Sequence, residues 1–136
     1  MYQKTVPLIT VAEAARWKAT QPHLVFLDTR EPEEFAVSHI KDAKWVGYKD
    51  FNTKVVSSIS KQTSIIVYCS VGYRSEKVGE KLFKAGYTNV YNLYGSLFEW
   101  VNQGHPLYKN RNELTSDVHT YSRSWGKWVE KGKKVY

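Results

Sequence analysis

The 136-residue chain holds a single cysteine, Cys69. One thiol excludes an internal disulfide and leaves no resolving partner within the chain, so any sulfur or oxidation state on Cys69 has to be discharged to another molecule. That suits a reducing compartment. No apolar run approaches the ~18 residues of a membrane-spanning helix. Met1-Tyr2-Gln3-Lys4 leads into a short strand pattern without the apolar core of a signal peptide. The expectation is a soluble cytoplasmic protein with no membrane partner. The four histidines, His23, His39, His105 and His119, are scattered, with only one cysteine to join them. Neither a zinc site nor any other metal or cofactor is expected. There is no internal repeat and no low-complexity segment. The length suits one domain with a core of its own and no second one, and a monomer is expected.

What is present in excess is positive charge, a net +7. Residues 1–106 carry thirteen basic and ten acidic side chains, and residues 107–136 carry seven and three, so basicity concentrates in the tail. The tail also holds Tyr108, Tyr121, Trp125, Trp128 and Tyr136, an aromatic load that favours folding back on the domain over disorder. Basic residues interleaved with aromatics can also grip single-stranded nucleic acid. No RNA-binding motif accompanies them, and Lys131-Gly132-Lys133-Lys134 reads as a solvated end, so nucleic acid is not an expected partner.

Along the chain, strands and helices alternate. Thr10 with Glu13 forms a capping-box pattern that opens a helix running to about Thr20, with Val11, Ala14 and Ala15 on its apolar side. Residues 24–27 read as a strand, and Pro32 at a first helical position starts a short helix carrying Phe35. Trp45-Val46 is a candidate edge strand. Phe51, Val55 and Ile59 lie at helical spacing and predict a helix within 48–60. A strand over 64–69, a helix over 75–85 with Gly86 at its end, a strand over 89–93 and a helix over 96–103 follow. Ser96 and Glu99 open that last helix, and Gly104 and Pro106 close it. This alternation predicts an α/β fold, a mainly parallel sheet with helices on both faces. Ligands in such sheets bind beyond the carboxyl ends of the strands, which is where Cys69 falls.

The stretch around Cys69 carries the chemistry. Ser64-Ile65-Ile66-Val67-Tyr68 reads as a doubly buried strand, so Cys69 begins a tight turn into the next helix. Unpaired N–H groups of such a turn, with the helix dipole behind them, make a cradle for an anion and favour a nucleophilic thiolate. A lone cysteine after an apolar strand is more often a small buried hydrophobe. Here, however, Gly72 permits a positive φ or close backbone approach, Arg74 supplies a fixed cation and Ser75 suits an N-cap. Asp28 and Arg30 follow a strand end and can face this loop, more readily as a bracing salt bridge than as direct substrate contacts. His39 is expected to order its own turn through hydrogen bonds.

Cys69-Ser70-Val71-Gly72-Tyr73-Arg74-Ser75 at a strand end resembles the active-site loop of the rhodanese (sulfurtransferase) family in its small single-domain form. Asp28-Thr29-Arg30 is similar to the family's Asp-x-Arg segment. His39-Ile40-Lys41-Asp42-Ala43 stands where the family writes Gly-His-Ile-x-x-Ala, with Ser38 in place of the glycine. Gly95 to Trp100 resembles the family's Gly-Gly-x-x-x-Trp helix, with Tyr94 where the first glycine often stands. The resemblance covers about residues 5–107 and not the tail. It implies a rhodanese-like domain over 1–107; the aromatic content of residues 108–136, outside the resemblance, predicts a basic aromatic extension packed on that domain.

The resemblance implies sulfur transfer in two half-reactions. The Cys69 thiolate takes the outer sulfur of a small anionic donor such as thiosulfate, and the resulting persulfide is passed to a thiol, to cyanide or to a thioredoxin-like reductant. The amides of the loop 70–75 would stabilise the anionic sulfur, and Arg74 would hold the donor or the departing sulfite. Ser70 and Ser75 would add hydroxyl donors, while Val71 and Tyr73 would shape the mouth. Two alternatives belong to other classes. A cysteine phosphatase or arsenate reductase carries Cys-x-x-x-x-x-Arg, but here only four residues separate Cys69 from Arg74, a smaller cradle that favours sulfur over a tetrahedral oxyanion. A non-catalytic binding module would more often have lost the cysteine or the arginine, and both are present.

Overall fold

The computed structural model describes residues 6–49, 51–109, 113–115, 117–119 and 133–135. Its centre is a five-stranded sheet in the order β1-β5-β4-β2-β3. The strands are β1 (Leu8–Ile9), β2 (Val25–Asp28), β3 (Lys44–Trp45), β4 (Ile65–Tyr68) and β5 (Val90–Leu93), and every pairing among them is parallel. The α/β architecture expected from the alternating pattern is the one observed. β4 occupies the middle because its residues are buried throughout. Its alternation sorts them between two cores. Ile66 and Tyr68 face the first, with Phe26, Leu93 and residues of α1 (Val11–Thr20) and α4 (Ser96–Asn102). Ile65 and Val67 face the second, with Leu27, Val90 and residues of α3 (Tyr73–Lys84).

Local chemistry explains most element boundaries. The Thr10 side chain accepts from the Glu13 N–H and starts α1 as expected. Pro32 stands at the start of α2 (Pro32–Val37), whose cap is Glu31 in a reciprocal box with Glu34. Gly79 lets α3 approach the incoming chain. A Cβ there would lie 2.7 Å from Val6 Cγ2.

Three expectations need correction. The helix expected within 48–60 is only a 3-10 turn, Thr53–Val56, started by the Asn52 side chain on the Lys54 N–H. Phe51 and Val56 are the buried residues there, with Ile59 packed against the same core, whereas Val55 is 46% exposed, so the core does not follow the full helical stripe seen in the sequence. Ser75 is not the cap of α3. Gly72, at φ +113°, takes that place and α3 begins at Tyr73. Likewise α4 is capped by Gly95, at φ +72°, and Ser96 spends its hydroxyl elsewhere instead of forming a box with Glu99.

After α4 the chain forms β6 (Leu107–Lys109), antiparallel to β7 (Glu113–Thr115). β8 (Asp117–His119) lies against α2 and pairs in parallel with β9 (Lys133–Val135). Tyr108 exchanges backbone hydrogen bonds with His39. The expected packing of Tyr121, Trp125, Trp128 and Tyr136 falls outside the described residues. Among the described residues no helix is long and apolar enough to cross a membrane.

Candidate functional site around Cys69

Cys69 leaves the carboxyl end of β4, the central strand, and only 1% of it is exposed. The next three residues must reverse the chain into α3, and the left-handed Gly72 makes that possible. With Gly72 in this conformation its N–H donates to Cys69 Sγ at 2.9 Å. An anionic sulfur would find a backbone donor already aimed at it. Behind the loop, Ser75 in the first turn of α3 places its Oγ 3.5 Å from Cys69 Sγ and 2.6 Å from Asn92 Oδ1.

The first turn of α4 holds the loop from the other side. The Cys69 N–H donates to Ser96 Oγ, whose hydroxyl donates to the Leu93 carbonyl. The N–H groups of Leu97 and Phe98 donate to the carbonyls of Cys69 and Ser70. Residues 69 and 70 are thereby fixed through the backbone to an element 27 positions away.

Arg74 makes a two-pronged pair with Glu34 of α2, with Nη1 donating to Oε1 at 2.9 Å and Nη2 to Oε2 at 3.3 Å. Ser70 Oγ joins this pair, 3.2 Å from both Glu34 Oε2 and Arg74 Nη2. Burial works against the Arg74 charge, but the Glu34 hydrogen bond and the electrostatic influence of the nearby Cys69 and Glu34 outweigh it and hold the guanidinium above its usual range. Burial likewise disfavours the Glu34 carboxylate, and hydrogen bonding and charge from Arg74, then the charge of Arg30, hold it below the usual range. Ser70 and Arg74 therefore brace the loop through Glu34.

Asp28 and Arg30 form a fully buried pair, with Arg30 Nη2 and Asp28 Oδ2 2.7 Å apart. Arg30 Nη2 also donates to the carbonyl of Ser38, and the Arg30 guanidinium stands 5.9 Å from the Tyr68 ring centre. The pair thus supports the chain around Tyr68, the residue before Cys69. Tyr68 adds to that support by accepting the Ile40 N–H on its hydroxyl. Burial, and then Asp28, push its phenol well above the usual range. His39 stacks on Phe35 with ring centres 4.0 Å apart and sets Nδ1 3.0 Å from the Phe35 carbonyl, so it orders its turn as expected.

Of the residues singled out from sequence, Gly72 and Ser75 reach the sulfur, Ser70 and Arg74 reach Glu34, and Tyr73, 43% exposed, stands at the surface with Val71 half-buried beside it. Glu34, Asn92 and Ser96 were missed. Each is a fully or almost fully buried polar residue, and Glu34 stands in the acidic run Glu31-Pro32-Glu33-Glu34, where it also helps to cap α2. Among the described residues no group of three or more histidine, cysteine, aspartate or glutamate side chains could hold a metal ion.

A family model described as rhodanese-like domain matches residues 10–103. Among relatives, the Protein HIGH ARSENIC CONTENT 1, mitochondrial, of Arabidopsis thaliana is 33% identical over 90 residues, which cover 58% of this chain and 53% of that protein. The probable adenylyltransferase/sulfurtransferase MoeZ of Mycobacterium tuberculosis is 26% identical over 99 residues, covering 72% of this chain and 25% of MoeZ. The match thus spans about half of the first relative and a quarter of the second. The fold is similar to that of a thiosulfate sulfurtransferase from Pseudomonas aeruginosa, with a TM-score of 0.70 at 21% identity over 90% of this chain and 23% of that one.

Proposed function

Because the chain belongs to the rhodanese-like domain family, we propose that it is a sulfurtransferase, moving a sulfane sulfur from a donor such as thiosulfate to a thiol or cyanide through a persulfide on Cys69. The observation that carries this reading is the 2.9 Å approach of the Gly72 N–H to Cys69 Sγ in a tight loop at the carboxyl end of the central strand. The Cys69 thiolate attacks the outer sulfur of thiosulfate. A new S–S bond forms, the S–S bond of thiosulfate breaks, and sulfite leaves with the electron pair. Cyanide or an external thiolate then attacks the outer sulfur of the persulfide and returns Cys69 as the thiolate. The Gly72 amide meets the Cys69 thiolate before the first transfer and again after the second, while Arg74, held by Glu34, contributes its charge from behind the loop. Val71 and Tyr73, which reach solvent, form the way in to a buried sulfur.

A second reading, oxyanion reduction or dephosphorylation, draws on the name of the Arabidopsis relative, which refers to arsenic. Two features oppose it. The loop is one residue shorter than the phosphatase pattern, and its arginine is engaged by Glu34 instead of being presented to an oxyanion. The test is the intact mass of the protein. Incubation with thiosulfate should add one sulfur, about 32 Da, at Cys69, and cyanide should remove it as thiocyanate. An equal gain in Cys69→Ser, or none in the parent with several donors, would remove the main support for sulfur transfer.

A further inference from the structure

Asn92 is an amide with no solvent exposure in β5, the strand beside β4, where the pattern otherwise calls for an apolar side chain. Such a group is tolerated only when its hydrogen bonds are made. Here they are, and their direction is unambiguous. Asn92 Nδ2 faces two acceptors, the Gly72 carbonyl at 3.1 Å and Glu76 Oε1 at 3.2 Å. Its Oδ1 is therefore the atom turned to the Ser75 hydroxyl, at 2.6 Å. Glu76 in turn is held in place, because its Oε2 accepts the Val6 N–H at 2.8 Å.

Among the described residues the two groups hydrogen-bonded to the Cys69 sulfur, the Gly72 amide and the Ser75 hydroxyl, are thus both contacted from behind by this side chain, which at the Gly72 carbonyl joins the Glu76 N–H, at 3.2 Å. We propose that Asn92 is a positioning residue for the reactive sulfur, fixing Gly72 by its carbonyl so that the Gly72 N–H stays on Cys69 Sγ, and setting how Ser75 shares its one proton. A hydroxyl has a single proton. Asn92 Oδ1, at 2.6 Å, holds it in the arrangement seen, with the Gly72 carbonyl at 3.2 Å and the sulfur at 3.5 Å as competing acceptors. As the sulfur gains negative charge the hydroxyl turns towards it, and the Gly72 amide stays in place because its residue is anchored. The inference deepens the sulfurtransferase reading of Cys69 and rests on it for its functional meaning.

The experiment is a double-mutant cycle on the rate of Cys69 alkylation by iodoacetamide at pH 7, with Ser75→Ala, Asn92→Ala and the pair, followed by the lifetime of the thiosulfate-generated persulfide in each. Loss or misplacement of one hydrogen bond to the sulfur corresponds to about five- to ten-fold in rate. Each single variant should slow alkylation by about that factor, and the double variant should be no more than about two-fold slower than Asn92→Ala alone. Asn92→Asp, which sets a carboxylate oxygen against Glu76 and the Gly72 carbonyl, should be slower still. Folding is checked by circular dichroism. If Asn92→Ala does not fold, Asn92→Ser carries the same cycle. A folded Asn92 variant that alkylates at the parental rate, or single effects that multiply in the double, would overturn the proposal. Alkylation needs no sulfur donor, so a parent that shows this coupling yet never gains sulfur would sink the sulfurtransferase reading and leave the positioning role intact.

Discussion

Arg74 and Glu34, forty positions apart in sequence, meet at 2.9 Å in a buried pair that ties the first turn of α3 to α2. The pair sets the shape of the Cys69 loop because Ser70 bonds to both partners. Removing one member leaves the other charged and buried, which typically costs about 3–5 kcal/mol. Glu34→Ala should lower stability by roughly that amount in urea unfolding and slow persulfide formation, with Glu34→Gln intermediate. A loss below about 1 kcal/mol, the scale of an exposed pair, would mean that the pair is open to solvent.

The same pair predicts the acid response. The folded-state pKa of Glu34 lies below its unfolded value, so its contribution is complete above the unfolded pKa of about 4.3 and is lost as pH falls through the lower folded value. Urea midpoints measured from pH 7 to pH 3 should fall more steeply in the parent than in Glu34→Gln once pH drops below about 4.5. Parallel curves would show that Glu34 is not responsible.

Gly79 is the contact point between α3 and the chain entering β1. An alanine Cβ would stand 2.7 Å from Val6 Cγ2, a distance that forces movement. Overpacking of this kind costs about 1–3 kcal/mol, more than alanine's better helix propensity returns. Gly79→Ala should therefore destabilise, and Val6→Ala in the same molecule should recover part of the loss. Simple addition of the two losses in thermal unfolding would place the strain elsewhere.

Loop length should separate the enzyme classes. The protein should transfer sulfur while hydrolysing aryl phosphates negligibly, and one glycine inserted between Gly72 and Tyr73 should shift that balance towards phosphate. Phosphatase activity in the parent that exceeds sulfur transfer and vanishes in Cys69→Ser would reverse the order of the two readings.

We propose that residues 108–136 belong to the folded unit, an idea supported by the backbone bridge between Tyr108 and His39 and by the position of β8 against α2. Truncation after Leu107 should lower the melting temperature and leave the chemistry of Cys69 partly intact. Limited trypsin digestion gives the direct check. Rapid cleavage at Arg111, Arg123 and Lys127 without loss of stability would mean a free tail.

Patterns local to the chain were enough to establish the alternating α/β order and the place of Cys69 at the end of a buried strand. Burial of β4, the Thr10 cap and Pro32 at a helix start each express a preference carried within a few residues. The stripe of Phe51, Val55 and Ile59 misled because its periodicity is also local, while burial is decided by what lies opposite. The second core takes Phe51 and Val56, and the Tyr87 hydroxyl caps the Val56 carbonyl at 2.6 Å.

The candidate site divides along the same line. Cys69, Gly72 and Ser75 stand within seven consecutive positions, and the turn chemistry of that stretch is readable as it stands. Which donor reaches the sulfur, and what holds it there, depends on Glu34 from α2, Asn92 from β5 and Ser96 from α4. Nothing in a neighbouring residue marks those three, because a buried polar side chain is tolerated only when distant partners satisfy it, and parallel strand order, not sequence proximity, brings the partners together.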